Sequence, residues 1–264
     1  MSGAAPEPSP RASGASRPGP SPRASGAARL AELLRASGPA VVLTGAGISV
    51  PSGIPDFRTP TTGVWANVDP MEVAHISVWR RDPARFWAFY GQRFAILDGK
   101  RPNGAHHAIA ELERRGLVAG VITQNIDGLH AAAGSEAIEV HGSIRTASCL
   151  ACGASFSLAE TRARGAVPRC DCGAVLKPDV VLFGELLPER AMLRATALAA
   201  TTRLLIAVGS SLEVWPVAGL PEETLNAGGA LALVTKGATP YDDAAAVKLT
   251  GDVESELASV LALL

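Results

Sequence analysis

The sequence has almost no net charge, with 24 Lys and Arg against 25 Asp and Glu and a formal balance of −1. A global field that would recruit nucleic acid or an anionic membrane surface is therefore lacking, and neither is an expected partner. Apolar runs are short, and none approaches the roughly 20 residues of a membrane span. The charged-then-apolar opening of an export signal is also missing, so the expected location is the cytoplasm. Cysteine is scarce: four in 264 residues, all between positions 149 and 172. Without an export signal, disulfides are disfavoured for them.

What is present suffices for a full core. At 47% apolar residues, the chain can build one large domain, or one large and one small. Residues 1–28 stand apart, made almost wholly of Pro, Ser, Gly, Ala and Arg. Pro-Arg-Ala-Ser-Gly-Ala occurs at Pro10–Ala15 and again at Pro22–Ala27. Such a segment has little to bury and is expected to be a disordered tail.

From Arg29 the pattern alternates. Leu30, Leu33 and Leu34 predict a short amphipathic helix that stops at Ser37-Gly38-Pro39. Strands are expected at 40–44, 118–123, 137–140, 203–208 and 230–234. Helices are expected at 105–115, 188–200 and 216–227. Strands separated by helices imply a parallel sheet covered on both faces, an α/β Rossmann-like architecture. Two stretches break the rhythm, about 60–104 (aromatic and helical) and about 144–177 (holding every cysteine). Both read as insertions that pack together as a smaller module.

Between the first strand and the first insertion runs Thr44-Gly45-Ala46-Gly47-Ile48-Ser49-Val50-Pro51-Ser52-Gly53-Ile54-Pro55-Asp56-Phe57-Arg58. Glycines directly after a buried strand suit close approach of a phosphate to the backbone. The dinucleotide fingerprint, however, wants a third glycine opening a helix. Here a long Gly/Pro loop takes its place. Polar segments also follow the other strands: Thr123 to His130, His141-Gly142, and Gly209-Ser210-Ser211. Ligands bind at such strand ends in open α/β sheets. The amides, carboxylate, imidazole and hydroxyls there suit ribose, phosphate and one proton transfer.

Cys149, Cys152, Cys170 and Cys172 form a Cys-x-x-Cys pair and a Cys-x-Cys pair, 17 residues apart. Two close thiolate pairs across such a loop fit one tetrahedral zinc ion. Two disulfides or four buried thiols are the alternatives. Four Cys ligands would leave no open position, so the metal would be structural.

Taken in order, these motifs resemble the sirtuins, the NAD-dependent protein-lysine deacylases. The resemblance rests on Gly-Ala-Gly-Ile-Ser, Gly-Ile-Pro-Asp-Phe-Arg, Thr-Gln-Asn-Ile-Asp-Gly-Leu-His, His-Gly, the cysteines, Lys-Pro-Asp-Val-Val-Leu-Phe-Gly-Glu and Gly-Ser-Ser-Leu-Glu-Val. It runs from about Ala28 to the C-terminus and implies a catalytic domain over 29–264. It implies that Gly45, Ala46, Gly47, Ile48, Asp56, Phe57 and Arg58 hold NAD, with Phe57 near the nicotinamide. Gln124, Asn125, Ile126 and Asp127 would line the ribose and nicotinamide pocket. Gly209, Ser210 and Ser211 would meet the phosphates and adenosine, and Asp252 and Val253 the adenine. Thr235 stands where the family often has Asn for a ribose hydroxyl. Val181 and Phe183 would border the acyl-lysine tunnel, with the substrate peptide added as a strand.

The resemblance makes His141 the general base. In the family reaction the acyl oxygen attacks C1′ of the ribose and nicotinamide leaves. The 2′-hydroxyl must then lose a proton before it attacks the acyl carbon. A neutral imidazole suits that step. His75, His106, His107 and His130 have weaker claims, and His130 is expected to pack or cap a helix. The partners implied are acylated-lysine proteins, and the products are nicotinamide, 2′-O-acyl-ADP-ribose and free lysine.

Acetyl-lysine is the default substrate. Tyr90 and Arg93, however, carry the Tyr-x-x-Arg spacing with which one sirtuin class binds succinyl- or malonyl-lysine. At i and i+3 a phenol and a guanidinium share a helix face and can meet one carboxylate. Equally, they fit an ordinary half-buried face. ADP-ribosyl transfer to protein is the remaining alternative for the same cleft.

Overall fold

The apolar runs Ala40–Thr44 and Leu204–Val208 are buried at every position and lie side by side in parallel. Continuous apolar strands of this kind belong in the middle of a parallel sheet with both faces covered. The structure, a computed structural model, describes residues 22–56, 69–97 and 99–264. In chain order its elements are α1 (Pro22–Ser37), β1 (Ala40–Thr44), a 3-10 segment (Ala46–Ser52), α2 (Pro70–Val73), α3 (Ile76–Arg81) and α4 (Pro83–Leu97). Then follow α5 (Gly104–Arg114), β2 (Val118–Thr123), α6 (Leu129–Ala132), β3 (Ala137–Glu139), β4 (Gly142–Ser148), β5 (Ser155–Ser157) and α7 (Leu158–Ala163). The last part holds β6 (Lys177–Val180), α8 (Glu189–Thr201), β7 (Leu204–Val208), α9 (Leu220–Asn226), β8 (Ala230–Val234), β9 (Val247–Leu249) and α10 (Val253–Ala262).

Six strands form one parallel sheet in the order β3-β2-β1-β7-β8-β9. Side chains alternate across it. Val42, Ile206 and Val208 face α1, α5 and α10, while Val41, Leu43, Leu205 and Ala207 face α8 and α9. The chain builds outward from β1 in one direction and from β7 in the other. The crevice between β1 and β7 is therefore the topological switch point where such sheets bind ligands. Register aligns the strand ends there, with Thr44 opposite both Thr123 and Val208.

A second, antiparallel sheet has the order β5-β4-β6. It packs against the helical insertion: Phe86, Trp87 and Phe94 of α4 share a core with Ile144, Val180 and Leu182. Cys149 and Cys170 form a small apolar knot of their own with Ala147 and Leu176, and Cys152 and Cys172 lie exposed beside it.

The first helix departs from expectation at its start. It begins at Pro22 rather than Arg29, so part of the expected tail is helical. Ala27, Leu30, Ala31 and Leu34 are all buried, a continuous i, i+3, i+4, i+7 stripe. Alanine at position 27 packs closely without a hydrophobic signal strong enough to read from composition. Phe57 and Arg58, expected to hold NAD, lie outside the described residues.

Candidate active site

Three loops leave the aligned ends of β1, β2 and β7 and lock together through backbone. Gly45 N–H donates to the carbonyl of Val208 at 3.0 Å, and Gly47 N–H to that of Gly209 at 2.8 Å. A Cβ on Gly47 would lie 2.8 Å from the Gly209 Cα. Gly209 has φ +62°, and a Cβ there would overlap the backbone nitrogen of Ile48. The glycines after β1 therefore serve a loop-to-loop contact. Gly209→Ala is expected to cost about 2 kcal/mol or more through strain and overlap. The check is thermal melting with and without NAD: a Gly209→Ala protein that melts and responds to NAD like the wild type would contradict it.

Side chains then cross-link the loops. Gln124 Nε2 donates to Ser210 Oγ at 2.8 Å, and Ser210 Oγ also accepts the Leu212 N–H. Buried Asn125 donates through Nδ2 to the Gly45 carbonyl and to Ser49 Oγ, both at 3.1 Å. Ser49 donates in turn to Asp127 Oδ2 at 2.7 Å, and Asp127 Oδ1 accepts the Leu129 N–H. Ile126 accepts through its carbonyl from Ile144 N–H, joining this loop to β4. Gly45, Gly47, Gln124, Asn125, Asp127, Gly209 and Ser210 thus belong to one bonded constellation. Buried Ile48 packs beneath it with the α1 and α5 face.

Below the loops sits a buried layer around His130, the histidine expected to pack or cap a helix. The Thr44 hydroxyl donates to Thr123 Oγ1 at 2.8 Å and lies 2.9 Å from His130 Nε2. His130 and His106 meet ring to ring at 5.0 Å. Burial keeps both imidazoles neutral, pushing His106 down to about 4 and His130 to about 3. Asn103 caps α5 and donates to the Ile48 carbonyl and to Ser52 Oγ. The only signal for this in the sequence was local, an Asn three residues before His106 in a capping position.

His141 stands at the entrance to β4. Its Nδ1–H donates to the Gln124 carbonyl at 2.9 Å. This leaves Nε2 as the basic nitrogen. Burial lowers its pKa, with the Gln124 carbonyl pulling the other way. The following Gly142 has φ +75°, and a Cβ there would overlap the Asp179 carbonyl oxygen. Only glycine lets β6 come that close, and the His141 carbonyl accepts the Val181 N–H at 2.9 Å. Phe183 is bonded on its other side, accepting from Ile76 N–H and donating to the Ala74 carbonyl.

Other expected residues have structural tasks of their own. Asp252 caps α10, accepting the N–H groups of Glu254 and Ser255, and Val253 is buried in the core. Thr235 is buried and its N–H donates to the Leu249 carbonyl. Ala46 opens the 3-10 segment. Ser211 directly follows Ser210 on the β7 loop, and Asp56 is the last described residue of the first loop. Tyr90 stacks on Phe86, with ring centroids 4.6 Å apart, and the Arg93 guanidinium lies 3.4 Å over the Phe89 ring.

The four cysteine sulfurs lie within 4.8 Å of one another, with Cys149–Cys172 and Cys152–Cys170 at 3.5 Å. Sulfurs placed about 2.3 Å from one tetrahedral ion stand about 3.8 Å apart, so the cluster fits zinc. Each pair sits on a like turn, in which the first cysteine's N–H bonds a later alanine carbonyl: Cys149 to Ala154, Cys170 to Ala174. Backbone N–H groups of Cys152 and Ala151 pull the Cys149 thiol down, while the neighbouring sulfurs push Cys152 and Cys172 up.

Comparison with known proteins agrees with this geometry. Residues 45–216 match the Sir2 family. An NAD-dependent protein deacetylase of Sulfolobus acidocaldarius is 44% identical over 227 residues, covering 84% of this chain and 88% of that protein. One from Caldanaerobacter subterraneus is 48% identical over 211 residues, covering 76% and 81%. Among solved structures, a Sir2–p53 peptide–NAD+ complex superposes with a TM-score of 0.82 at 39% identity, covering 88% of this chain and 96% of that one. Sir2Tm bound to a propionylated peptide gives 0.81 at 38%, with the same coverage. The chain belongs to the Sir2 family.

Proposed function

We propose that the protein removes acyl groups from protein lysines at the expense of NAD. The observation that carries this reading is His141, which presents Nε2 beside the interlocked loops while its own carbonyl holds the Val181 strand. When bound, NAD supplies the ribose C1′ that takes the acyl oxygen as nicotinamide leaves, and the 2′-hydroxyl that takes the acyl group. The residues present fit it. Gly45, Ala46, Gly47, Ile48, Asp56, Phe57, Arg58, Gly209, Ser210, Ser211, Thr235, Asp252 and Val253 are its proposed contacts, with Gln124, Asn125, Ile126 and Asp127 around the nicotinamide and ribose. Asn125 and Asp127 are held rigid by Ser49, which favours a fixed orientation over an adaptable one. His141 Nε2 accepts the 2′-hydroxyl proton, and the Gln124 carbonyl steadies the cation that forms. Val181 and Phe183 border the acyl-lysine, with the peptide adding as a strand beside them.

Cys149, Cys152, Cys170 and Cys172 hold one structural zinc ion. A reducing, cytoplasmic setting suits four free thiols. Relatives include a protein from Pyrobaculum aerophilum named a deacylase rather than a deacetylase, 46% identical over 71% of this chain. The packing of Tyr90 and Arg93 favours a neutral acyl group. The phenol packs against the aromatic core, where burial raises its pKa, the Arg93 charge pulls it down and Glu185 adds a smaller upward push, and the Arg93 guanidinium is taken up by the Phe89 ring.

The deciding experiment is turnover of one peptide carrying acetyl-, propionyl-, malonyl- or succinyl-lysine, with mass spectrometry of the products. Acetyl- and propionyl-lysine are expected to react at least about tenfold faster than the acidic acyl groups. Arg93→Met is expected to keep deacetylation within about threefold of wild type. Faster desuccinylation, lost on Arg93→Met, would instead assign Tyr90 and Arg93 as a carboxylate clamp. Gain of ADP-ribose by the peptide without loss of acyl mass would replace deacylation with ADP-ribosyl transfer.

A further inference from the structure

The stretch that carries Val181 and Phe183 is closed on itself by a partly buried ion pair. Lys177, at the start of β6, is only 8% exposed. Its ammonium lies 2.9 Å from Glu185 Oε2 and donates to the carbonyls of Val180 at 2.9 Å and Pro178 at 3.2 Å. An ammonium has three protons, and here each has an acceptor. Glu185 Oε2 also accepts the Leu182 N–H at 2.9 Å, and Glu185 N–H donates to the Leu182 carbonyl at 3.0 Å. Residues 177–185 are thus a loop whose two ends are joined by opposite charges. Every bond of the pair stays inside that loop.

What the loop presents is the backbone between Val180 and Phe183. The Val181 N–H is spent on the His141 carbonyl, and Phe183 pairs in both directions with the segment 74–76. Lys177 grips the carbonyl immediately before Val181, and Glu185 grips the N–H immediately after it. The preceding residue is anchored too: the Leu176 carbonyl accepts the indole N–H groups of both Trp79 and Trp87, each at 3.1 Å. The path from helical insertion to strand to loop therefore has a fixed register before any substrate arrives. A partly buried charge pair is poor evidence of net stability, because desolvation offsets the attraction, but breaking one partner leaves the other uncompensated. A conformational task explains why charges stand where apolar residues would pack as well.

We infer that Lys177 and Glu185 are positioning residues for the acyl-lysine substrate, holding the 180–183 backbone in register with His141. This rests on the deacylase reading above. The pair acts on one substrate only, since the NAD loops are bonded to each other and not to it.

The test uses the zinc-loaded full chain with an acetyl-lysine peptide, comparing wild type, Glu185→Gln, Lys177→Met and the double variant. Each single change is expected to raise KM for the peptide about tenfold and to leave KM for NAD within about twofold. Equilibrium titration of a fluorescent acetyl peptide should show the same loss. The double variant is expected to be no worse than the worse single, because the two charges act as a unit. Should a single variant lose zinc, the double variant, which leaves no unpaired buried charge, carries the same readout. An unchanged peptide KM in zinc-loaded protein overturns the inference, as does an equal rise in both KM values or additive losses in the double variant. A wild type that neither binds nor deacylates the peptide would remove the deacylase reading and this inference with it.

Discussion

Replacing His141 with alanine is expected to lower turnover by about 10³-fold while NAD binding stays within about threefold. The separation follows from how the residue is held. The Nδ1–H of His141 is committed to the Gln124 carbonyl, and burial holds its pKa below the ordinary 6.5. At neutral pH the ring is therefore neutral, with Nε2 free to take a proton. The loops that would grip NAD are bonded to one another through Gly45, Asn125, Ser49, Asp127, Gln124 and Ser210, and the His141 imidazole adds one bond, to the Gln124 carbonyl. The sign of the pH effect is fixed as well. Activity requires the neutral imidazole, so kcat/KM falls as pH drops through the His141 pKa. That acid limb lies below 6.5. Calorimetric titration with NAD and a pH–rate profile check both parts. An acid limb above 6.5, or a His141→Ala enzyme retaining a tenth of wild-type turnover, would exclude His141 as the base.

Stripping the metal, or replacing Cys149 by serine, is expected to abolish turnover by at least a factor of about 100 while the six-stranded sheet survives. Structural zinc contributes on the order of 10 kcal/mol to the fold around it. The thiols sit in a small cluster of few apolar residues, Ala147 and Leu176 among them. That cluster has little else to hold it together. β4 and β6 run directly from it to His141-Gly142 and to the Val181 segment, so loosening it displaces the proposed general base and the proposed substrate strand together. A misplacement of about 1 Å is enough to cost about 10² in rate. The cores on either face of the large sheet contain no cysteine. Hydrogen exchange after chelation should therefore show lost protection in β4–β6 and retained protection in β1, β2 and β7. Uniform loss across both sheets, or full activity in zinc-free protein, would show that the metal does not act this way.

Five strands of the large sheet were readable because their signals are local, whereas the three-residue edge strand β9 was too short to show one. Ala40–Thr44 and Leu204–Val208 are apolar at nearly every position, and helices between the strands are bounded by Gly, Pro and Asn. The small sheet was not. Gly142–Ser148, Ser155–Ser157 and Lys177–Val180 are short, and two of the three carry little apolar pattern. β5 folds back locally on β4, but β6 pairs with β4 from a distant part of the chain, Gly142 opposite Val180 and Ser148 opposite Lys177. Non-local pairing of short polar strands leaves no periodicity to read. The start of α1 lies earlier than expected for a related reason, since an alanine such as Ala27 looks like linker composition until something packs on it.

The identity of the chemistry lay in the sequence itself, because motif residues must be of one type to do one job. A Cys pair, an imidazole beside Gly142 and glycines after a buried strand are each limited by their own chemistry or their own backbone. Tertiary structure decided how those residues are shared out. It turned the opening glycines into one half of a backbone lock against Gly209, spent Asp252 on capping α10, and placed His130 beneath the site on Thr44. It also joined Lys177 to Glu185 around the substrate strand. Such assignments depend on which hydrogen-bond partner arrives from a distant part of the chain. Only the folded geometry can say which of several eligible donors and acceptors stand within 3 Å of each other.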